Sequence, residues 1–271
     1  MDEAELCEDW PGRPAAVVFR VRDGRDEILA GCGDLEEPRG WASVSKMVVA
    51  LAMGVEFDWG LHRPEEPMGP PGSTLANLLS HSSGLGLEAG DPVRAVGERR
   101  VYSNLGVDLA VSGVVGDQSA AEWLDARVFR PLGMGSTHLN GRPAAGVEGS
   151  TRDLMTLGVA WLRPDGISRR TRDRMITPYA PALSGVVPGF GRFEPCEWGM
   201  GPELAGDKAH WMGGWPPESF GHFGQSGSLL LLNAREGLGI AVTNTVPFGP
   251  WAVEHWPAWI TRVRQWALSR D

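Results

Sequence analysis

Ser43 and Lys46 stand three residues apart in Trp41-Ala42-Ser43-Val44-Ser45-Lys46. On a helix that spacing places both side chains on one face, one turn apart. A serine hydroxyl is a weak nucleophile until a base takes its proton. A neutral lysine can be that base when burial and nearby charge lower its pKa. Arginine cannot, because its guanidinium stays protonated. The chain has 25 Lys+Arg but only two lysines, Lys46 and Lys208. A chain that uses arginine for positive charge keeps lysine where deprotonation is useful. Free N–H groups at a helix start would also favour negative charge developing near Ser43. The same residues would serve as a plain helix start with a surface lysine, so the pair needs partners.

Two further segments supply them. Tyr102-Ser103-Asn104 precedes an expected helix. A phenol beside a lysine ammonium can have its pKa lowered enough to relay protons. Asn104 can orient the lysine or a substrate carbonyl, while Ser103 or Asn104 also fits a helix N-cap. His222-Phe223-Gly224-Gln225 falls on an expected strand. Gly224 would let a ligand approach the backbone, leaving the N–H of Gln225 as an oxyanion donor. His222 adds a polar group to the same wall. The preceding stretch, Ala205 to Phe220, carries Trp211 and Trp215, which we expect to rim an acyl pocket together with Phe223. Gly84 to Ala89 matches G-x-G-x-x-A but follows no strand, so a dinucleotide site is not expected. The histidines lack metal-ligand spacing. No metal and no cofactor is expected.

The elements that must position these groups read as follows. Ala15 to Arg22 and Asp26 to Cys32 are strands around a turn at Asp23-Gly24. Ser43 to Val55 is a helix. Thr74 to Leu79, Leu105 to Val115, Ala120 to Phe129 and Thr151 to Leu162 follow a Pro/Gly-rich break, with Ser150 or Thr151 as a cap. From about Cys196 the period changes to strand: Glu197 to Pro202, Ser219 to Phe223, Ser228 to Asn233 and Gly239 to Asn244. Ala252 to Leu268 closes the chain as a helix whose Trp256, Trp259, Val263 and Trp266 form a core-facing stripe. Strands at both ends with helix between predict an α+β fold. An antiparallel sheet is built from both termini and flanked by helices, with an inserted, mostly helical domain. The boundaries expected are 1–58 and 190–271 for the sheet domain and 59–189 for the helical insertion.

The bulk properties narrow the partners. The length of 271 residues, 42% hydrophobic and 22% charged, suits a globular chain with a sizeable core. A net charge of -9 disfavours nucleic acid and anionic membrane. The first ten residues are acidic and lack an apolar h-region, so no secretory signal is read and a cytoplasmic location is expected. Cys7, Cys32 and Cys196 are odd in number and widely spaced, which predicts neither a disulfide framework nor a zinc site.

Taken in order, the three segments resemble the beta-lactamase-related serine hydrolases: class C beta-lactamases, DD-peptidases and lactamase-like esterases. Their motifs are S-x-x-K, Y-x-N and a K/H-T/S-G strand. Leu78 to Leu85 is similar to the family's "LLTHTSGL" stretch and Val128 to Met134 to its "IFxPLGM" stretch. Gly149 to Leu154 and Gly237 to Asn244 add matches, so the resemblance spans about residues 15 to 268. It implies that Ser43 forms an acyl-enzyme and that Lys46 and Tyr102 move its proton. It also implies that the N–H groups of Ser43 and Gln225 hold the oxyanion, with Asn104 positioning Lys46 and the acyl chain. His81 is read as structural.

Two departures shape the expected activity. Phe223 stands where the family usually has a small hydroxyl residue that helps bind a carboxylate, and Gln225 stands where Ser or Ala is frequent. Together with the missing export signal, they predict an intracellular esterase or amidase acting on a small molecule with an apolar acyl group. Beta-lactamase or D-amino-acid peptidase activity, acyl transfer to an amine or alcohol, and a non-catalytic binding relative are the alternatives.

Overall fold

The computed structural model describes residues 3–163 and 166–270. In chain order, the first half contains α1 (Glu3–Cys7), β1 (Ala15–Arg22), β2 (Arg25–Cys32), β3 (Arg39–Gly40), a 3₁₀ turn (Ala42–Val44), α2 (Ser45–Asp58), α3 (Leu75–Leu79) and α4 (Asn104–Val115). There follow α5 (Ala120–Leu124), a π-helical stretch (Asp125–Phe129), α6 (Arg130–Leu132), β4 (His138–Leu139), β5 (Val147–Gly149), α7 (Thr151–Leu162) and α8 (Arg169–Met175). The rest is β6 (Gly185–Val187), β7 (Gly191–Phe193), β8 (Glu203–Leu204), β9 (Phe220–Phe223), β10 (Leu229–Asn233), β11 (Leu238–Thr243) and α9 (Pro250–Leu268).

Six strands form one antiparallel sheet in the order β2-β1-β11-β10-β9-β8. Both ends of the chain therefore meet at the β1–β11 pair, as the pattern predicts. Asp23 and Gly24 take left-handed backbone angles, φ 52° and 73°, which make the tight β1–β2 turn. The middle strands are covered on both faces, so they read as unbroken apolar runs such as Leu229 to Leu232 rather than alternating ones. Val17, Phe19, Leu230, Leu232 and Ala241 face α2 and α7. Ala16, Val18, Leu229, Leu231, Ile240 and Val242 face α9. Trp256, Trp259 and Val263 are buried there, as the stripe predicts.

Helix α2 is buried along almost its whole length, from Ser45 to Glu56, between the sheet and the helices α4, α5 and α8. Helix α7 packs on β1, β10 and β11. The stretch Glu197 to Pro202 is not a strand. Only Glu203 and Leu204 pair with β9, because Gly199 and Gly201 turn the chain against Met175 and Ala50. The hairpin β6–β7 was not expected from the sequence.

The cysteine expectation is also corrected: Cys7 and Cys32 are joined by a disulfide across 25 residues of sequence. The bond ties α1 to β2, a contact that only the folded chain creates. Cys196 is free and buried. No helix among the described residues is long and apolar enough to cross a membrane.

Candidate active site

The 3₁₀ turn presents Ser43 at the entrance of α2. It is fixed from several sides. Trp41 N–H donates to Val147 O (2.8 Å), and the Trp41 indole N–H donates to Gly149 O (3.0 Å). Ser45 Oγ–H donates to Ala42 O (2.6 Å) and accepts from the N–H of Val147 (3.0 Å). Ser228 Oγ–H donates to Trp41 O (2.7 Å). Ala42 is held at φ 44°, a strained left-handed angle for a residue with a side chain, immediately before Ser43.

The three-residue spacing brings Lys46 Nζ to 3.2 Å from Ser43 Oγ. Lys46 is 1% exposed. Burial lowers its pKa to about 7; Asp108 and Glu88 pull it up and Arg142 pushes it down. Nζ also contacts Asn104 Oδ1 at 2.7 Å and Ala144 O at 2.8 Å. Both of these atoms only accept hydrogen bonds. A neutral amine has two hydrogens and one lone pair. The two acceptors use both hydrogens, and the lone pair is left for the hydroxyl of Ser43. The geometry thus suits proton removal from Ser43.

Ser103, not Asn104, caps α4: its Oγ accepts from Gly106 N–H (2.9 Å) and donates to Gly86 O (2.6 Å). That frees Asn104 for Lys46, with its Nδ2 donating to Glu88 Oε1 (2.8 Å). Tyr102 is held from both sides by His81. Val101 N–H donates to His81 O (3.0 Å), Ser103 N–H donates to His81 Nδ1 (3.2 Å), and the two rings lie 4.7 Å apart. His81 itself is buried at φ 60°. It thus braces the backbone on either side of Tyr102, a role only the folded structure reveals.

The expectation that Lys46 would lower the Tyr102 pKa is overturned. Burial raises the phenol above its ordinary value, against the opposing hydrogen bond from Ser43, and the Glu203 carboxylate adds to the rise. Tyr102 is therefore a neutral phenol whose O–H lies between Ser43 and His222 Nε2, the latter at 3.5 Å. His222 is also neutral. Burial and the charge of Lys46 bring its pKa down to about 3. Its Nδ1–H donates to Phe223 O (2.7 Å), so Nε2 is the acceptor that faces Tyr102.

Gly224 is also required by packing. A Cβ there would lie 2.4 Å from Trp41 O and 2.6 Å from Ser228 Oγ. The glycine lets the end of β9 press against the Ser43 turn. Gln225, which follows it, lines the same cleft as Ser43. The N–H groups of Ser43 and Gln225 make no hydrogen bond among the described residues. They are the donors available to an oxyanion.

Ser43 opens into a cleft of about 430 Å³ whose walls include Leu87, Val101, Tyr102, Asn104, Trp198, His222, Phe223 and Gln225. The outer wall is the β6–β7 hairpin, with Val186, Val187, Pro188 and Arg192. Phe223 is the one expected rim residue that lines it. Trp211 and Trp215 do not. Trp211 is fully buried and its indole N–H donates to Glu203 Oε2 (2.8 Å); that of Trp215 donates to Ile260 O (3.1 Å). Both pack between the sheet and α9, because their rings have apolar partners there. Glu203 lines the floor of the cleft. Burial pushes its pKa up, but Lys208 and His210 beside it (3.3 and 3.1 Å) outweigh that and hold it at about 2.

Comparison with known proteins places the fold in a family. The model of the beta-lactamase family matches residues 8–260. A crystal structure of a beta-lactamase from Mycobacterium bovis is 34% identical, with a TM-score of 0.91 over 97% of this chain and 98% of that one. A D-amino acid amidase from Ochrobactrum anthropi is 16% identical, with a TM-score of 0.75 over 96% of this chain and 95% of that one. A simvastatin synthase mutant from Aspergillus terreus is 14% identical, with a TM-score of 0.77 over 98% and 94%. At such low identity, the last two share the fold alone. No curated protein matches the chain. The chain belongs to the beta-lactamase family.

Proposed function

From that membership we propose that the protein is a serine hydrolase that acylates Ser43 with a small ester or amide bearing an apolar acyl group. One observation carries the reading. Both hydrogens of a neutral Lys46 amine have acceptors in Asn104 and Ala144, which aims its lone pair at Ser43 Oγ. Lys46 takes the proton of Ser43 as Oγ attacks the substrate carbonyl carbon. The oxyanion sits between the N–H groups of Ser43 and Gln225, donors of a kind whose loss costs about 3 kcal/mol. The tetrahedral intermediate collapses as its bond to the leaving group breaks. Tyr102 gives its proton to the leaving group and recovers one from the Lys46 ammonium. Water then repeats the sequence on the acyl-enzyme with the same base, and Ser43 is released. Leu87, Val101, Trp198 and Phe223 favour an apolar acyl group.

A second reading is beta-lactam hydrolysis, favoured by the 34% identical beta-lactamase. One screen separates the two. Wild type and Ser43→Ala are assayed on p-nitrophenyl esters, aryl amides and nitrocefin, and labelled with a fluorophosphonate. Ester turnover and labelling are expected for wild type and absent in Ser43→Ala. Labelling of Ser43→Ala at the wild-type rate would refute the nucleophile. Turnover of nitrocefin in preference to the esters would favour the second reading.

A further inference from the structure

We infer that Glu88, Arg142 and Asp108 are positioning residues that lock the amide of Asn104 and the carbonyl of Ala144 in the orientation that aims the Lys46 lone pair at Ser43. The inference rests on the proposed role of Lys46 as base. From Asn104 Nδ2 the contacts run to Glu88 Oε1 (2.8 Å), and from Glu88 Oε2 to Arg142 NH1 (2.6 Å). Arg142 Nε and NH2 both grip Asp108 Oδ2 (2.6 and 2.5 Å). Asp108 Oδ1 accepts from the N–H of Ala144 (2.9 Å), whose carbonyl returns to Lys46 Nζ (2.8 Å). The ring is closed. It joins α2, the loop after α3, two positions of α4 four residues apart, and the loop between β4 and β5.

The chemistry of each member fixes a direction. A carboxylate only accepts hydrogen bonds. Glu88 therefore forces the NH₂ of Asn104 toward itself and the carbonyl toward Lys46. With the amide turned over, its NH₂ would occupy the lone pair of Lys46, and its carbonyl would face the carboxylate. Asp108 likewise anchors the peptide of Ala144 by its N–H. Glu88, Arg142 and Asp108 have side chains 42%, 39% and 23% exposed. Exposed ion pairs of this kind add little to stability. Their arrangement fits orientation of the base better than reinforcement of the fold.

The test uses Glu88→Gln, Glu88→Ala and Asp108→Asn, each read by kcat, KM, the pH dependence of fluorophosphonate labelling, and Tm. The charged and titratable groups around Lys46 are Asp108 on α4, Tyr102 just before it, Arg142 before β5, Glu88 and His81 in the loop after α3, and His222 on β9; burial lowers the pKa of both histidines and raises that of Tyr102. We expect kcat to fall about 10- to 100-fold, the size of effect a misaimed catalytic group produces, with KM within about threefold. The rising limb of the pH profile should move to lower pH when either carboxylate is neutralised. A rescue isolates orientation from charge. Asn104→Asp alone sets two carboxylates against each other, whereas Asn104→Asp with Glu88→Gln restores a donor facing an acceptor. At alkaline pH the double variant should therefore exceed Asn104→Asp. Variants that keep kcat within about twofold and leave the limb in place would overturn the inference, as would a double variant no better than Asn104→Asp. A variant that loses activity only in step with its folded fraction, by Tm, would also overturn it. If instead the wild type itself lacks the rising limb, or Ser43→Ala is labelled, the proposed base or nucleophile fails and this inference falls with it.

Discussion

The titration of Lys46 can be followed through both rate and stability. An ordinary lysine has a pKa of 10.5, and here burial brings Lys46 to about 7. At pH 7 roughly half of the molecules then hold the free amine, against about one in 3,000 for an unshifted lysine. Fluorophosphonate labelling of Ser43 should rise about tenfold per pH unit below pH 6 and flatten above pH 7 to 8. It should stay flat to about pH 10, because Tyr102 is held protonated above its ordinary value. The same shift has a stability signature with a defined sign. Between pH 7 and 10.5 the unfolded chain holds a proton on Lys46 that the folded chain has released, so stability gains with rising pH in that window. Relative to Lys46→Met, wild type should gain roughly 3 kcal/mol between pH 6.5 and 9.5 in urea unfolding. The full shift of about 3.5 units corresponds to roughly 4 to 5 kcal/mol, an order-of-magnitude figure. A rising limb centred at pH 9 or above, with wild type and Lys46→Met following parallel stability curves, would refute a neutral-amine base.

Three further outcomes test the structure. Gly224→Ala should abolish labelling of Ser43 and cost about 1 to 3 kcal/mol of stability, since the new methyl group meets Trp41 O and Ser228 Oγ; wild-type labelling in that variant would show that the β9–turn contact is dispensable. Reducing the Cys7–Cys32 bond, which closes a loop of about 25 residues, should cost roughly 3.5 kcal/mol in a chain-entropy estimate, with labelling unaffected; an unchanged urea midpoint under reductant counts against the bond. Trp215→Phe should leave acyl-chain preference unaltered while Val186→Trp narrows it toward short chains, and a preference altered by Trp215→Phe alone would return that residue to the pocket wall.

What the sequence discloses here is whatever a local pattern encodes. Leu229 to Leu232 and the Asp23-Gly24 turn mark their strands unaided, and Ser43–Lys46 is a spacing within one helical turn. Tyr102, Asn104 and His222 are tied to Ser43 through a resemblance, because nothing local says that Asn104, 58 positions from Lys46, and His222, 120 positions from Tyr102, share a cleft. The failures share one cause. Trp211 and Trp215 look like a pocket rim by composition, yet their burial is decided by where α9 lies. The Cys7–Cys32 bond depends on α1 crossing β2. Glu88, Arg142 and Asp108 look like ordinary surface charges, and only the ring that they close around Lys46 sets them apart.

Lysine is scarce in this chain, and Lys208 shares that scarcity with Lys46. Both are buried, 1% and 6% exposed. Burial alone therefore does not make a base. Lys208 Nζ lies 3.3 Å from the Glu203 carboxylate, a buried counter-charge in direct contact. Among the described residues the hydrogen-bond partners of Lys46 are neutral oxygens, the Ser43 hydroxyl, the Asn104 amide and the Ala144 carbonyl, and its Nζ lies 4.7 Å from the centre of the Tyr102 ring. Its nearest carboxylates, Glu88 and Asp108, are each held one hydrogen bond further away and share Arg142. A carboxylate in direct contact would hold the amine protonated at neutral pH; a purely apolar cage would leave its hydrogens without acceptors and its lone pair without direction. The site lies between these extremes, with enough negative charge nearby to keep the ammonium accessible after it takes the proton of Ser43. A lysine can pass between those two states, and an arginine in the same place could not.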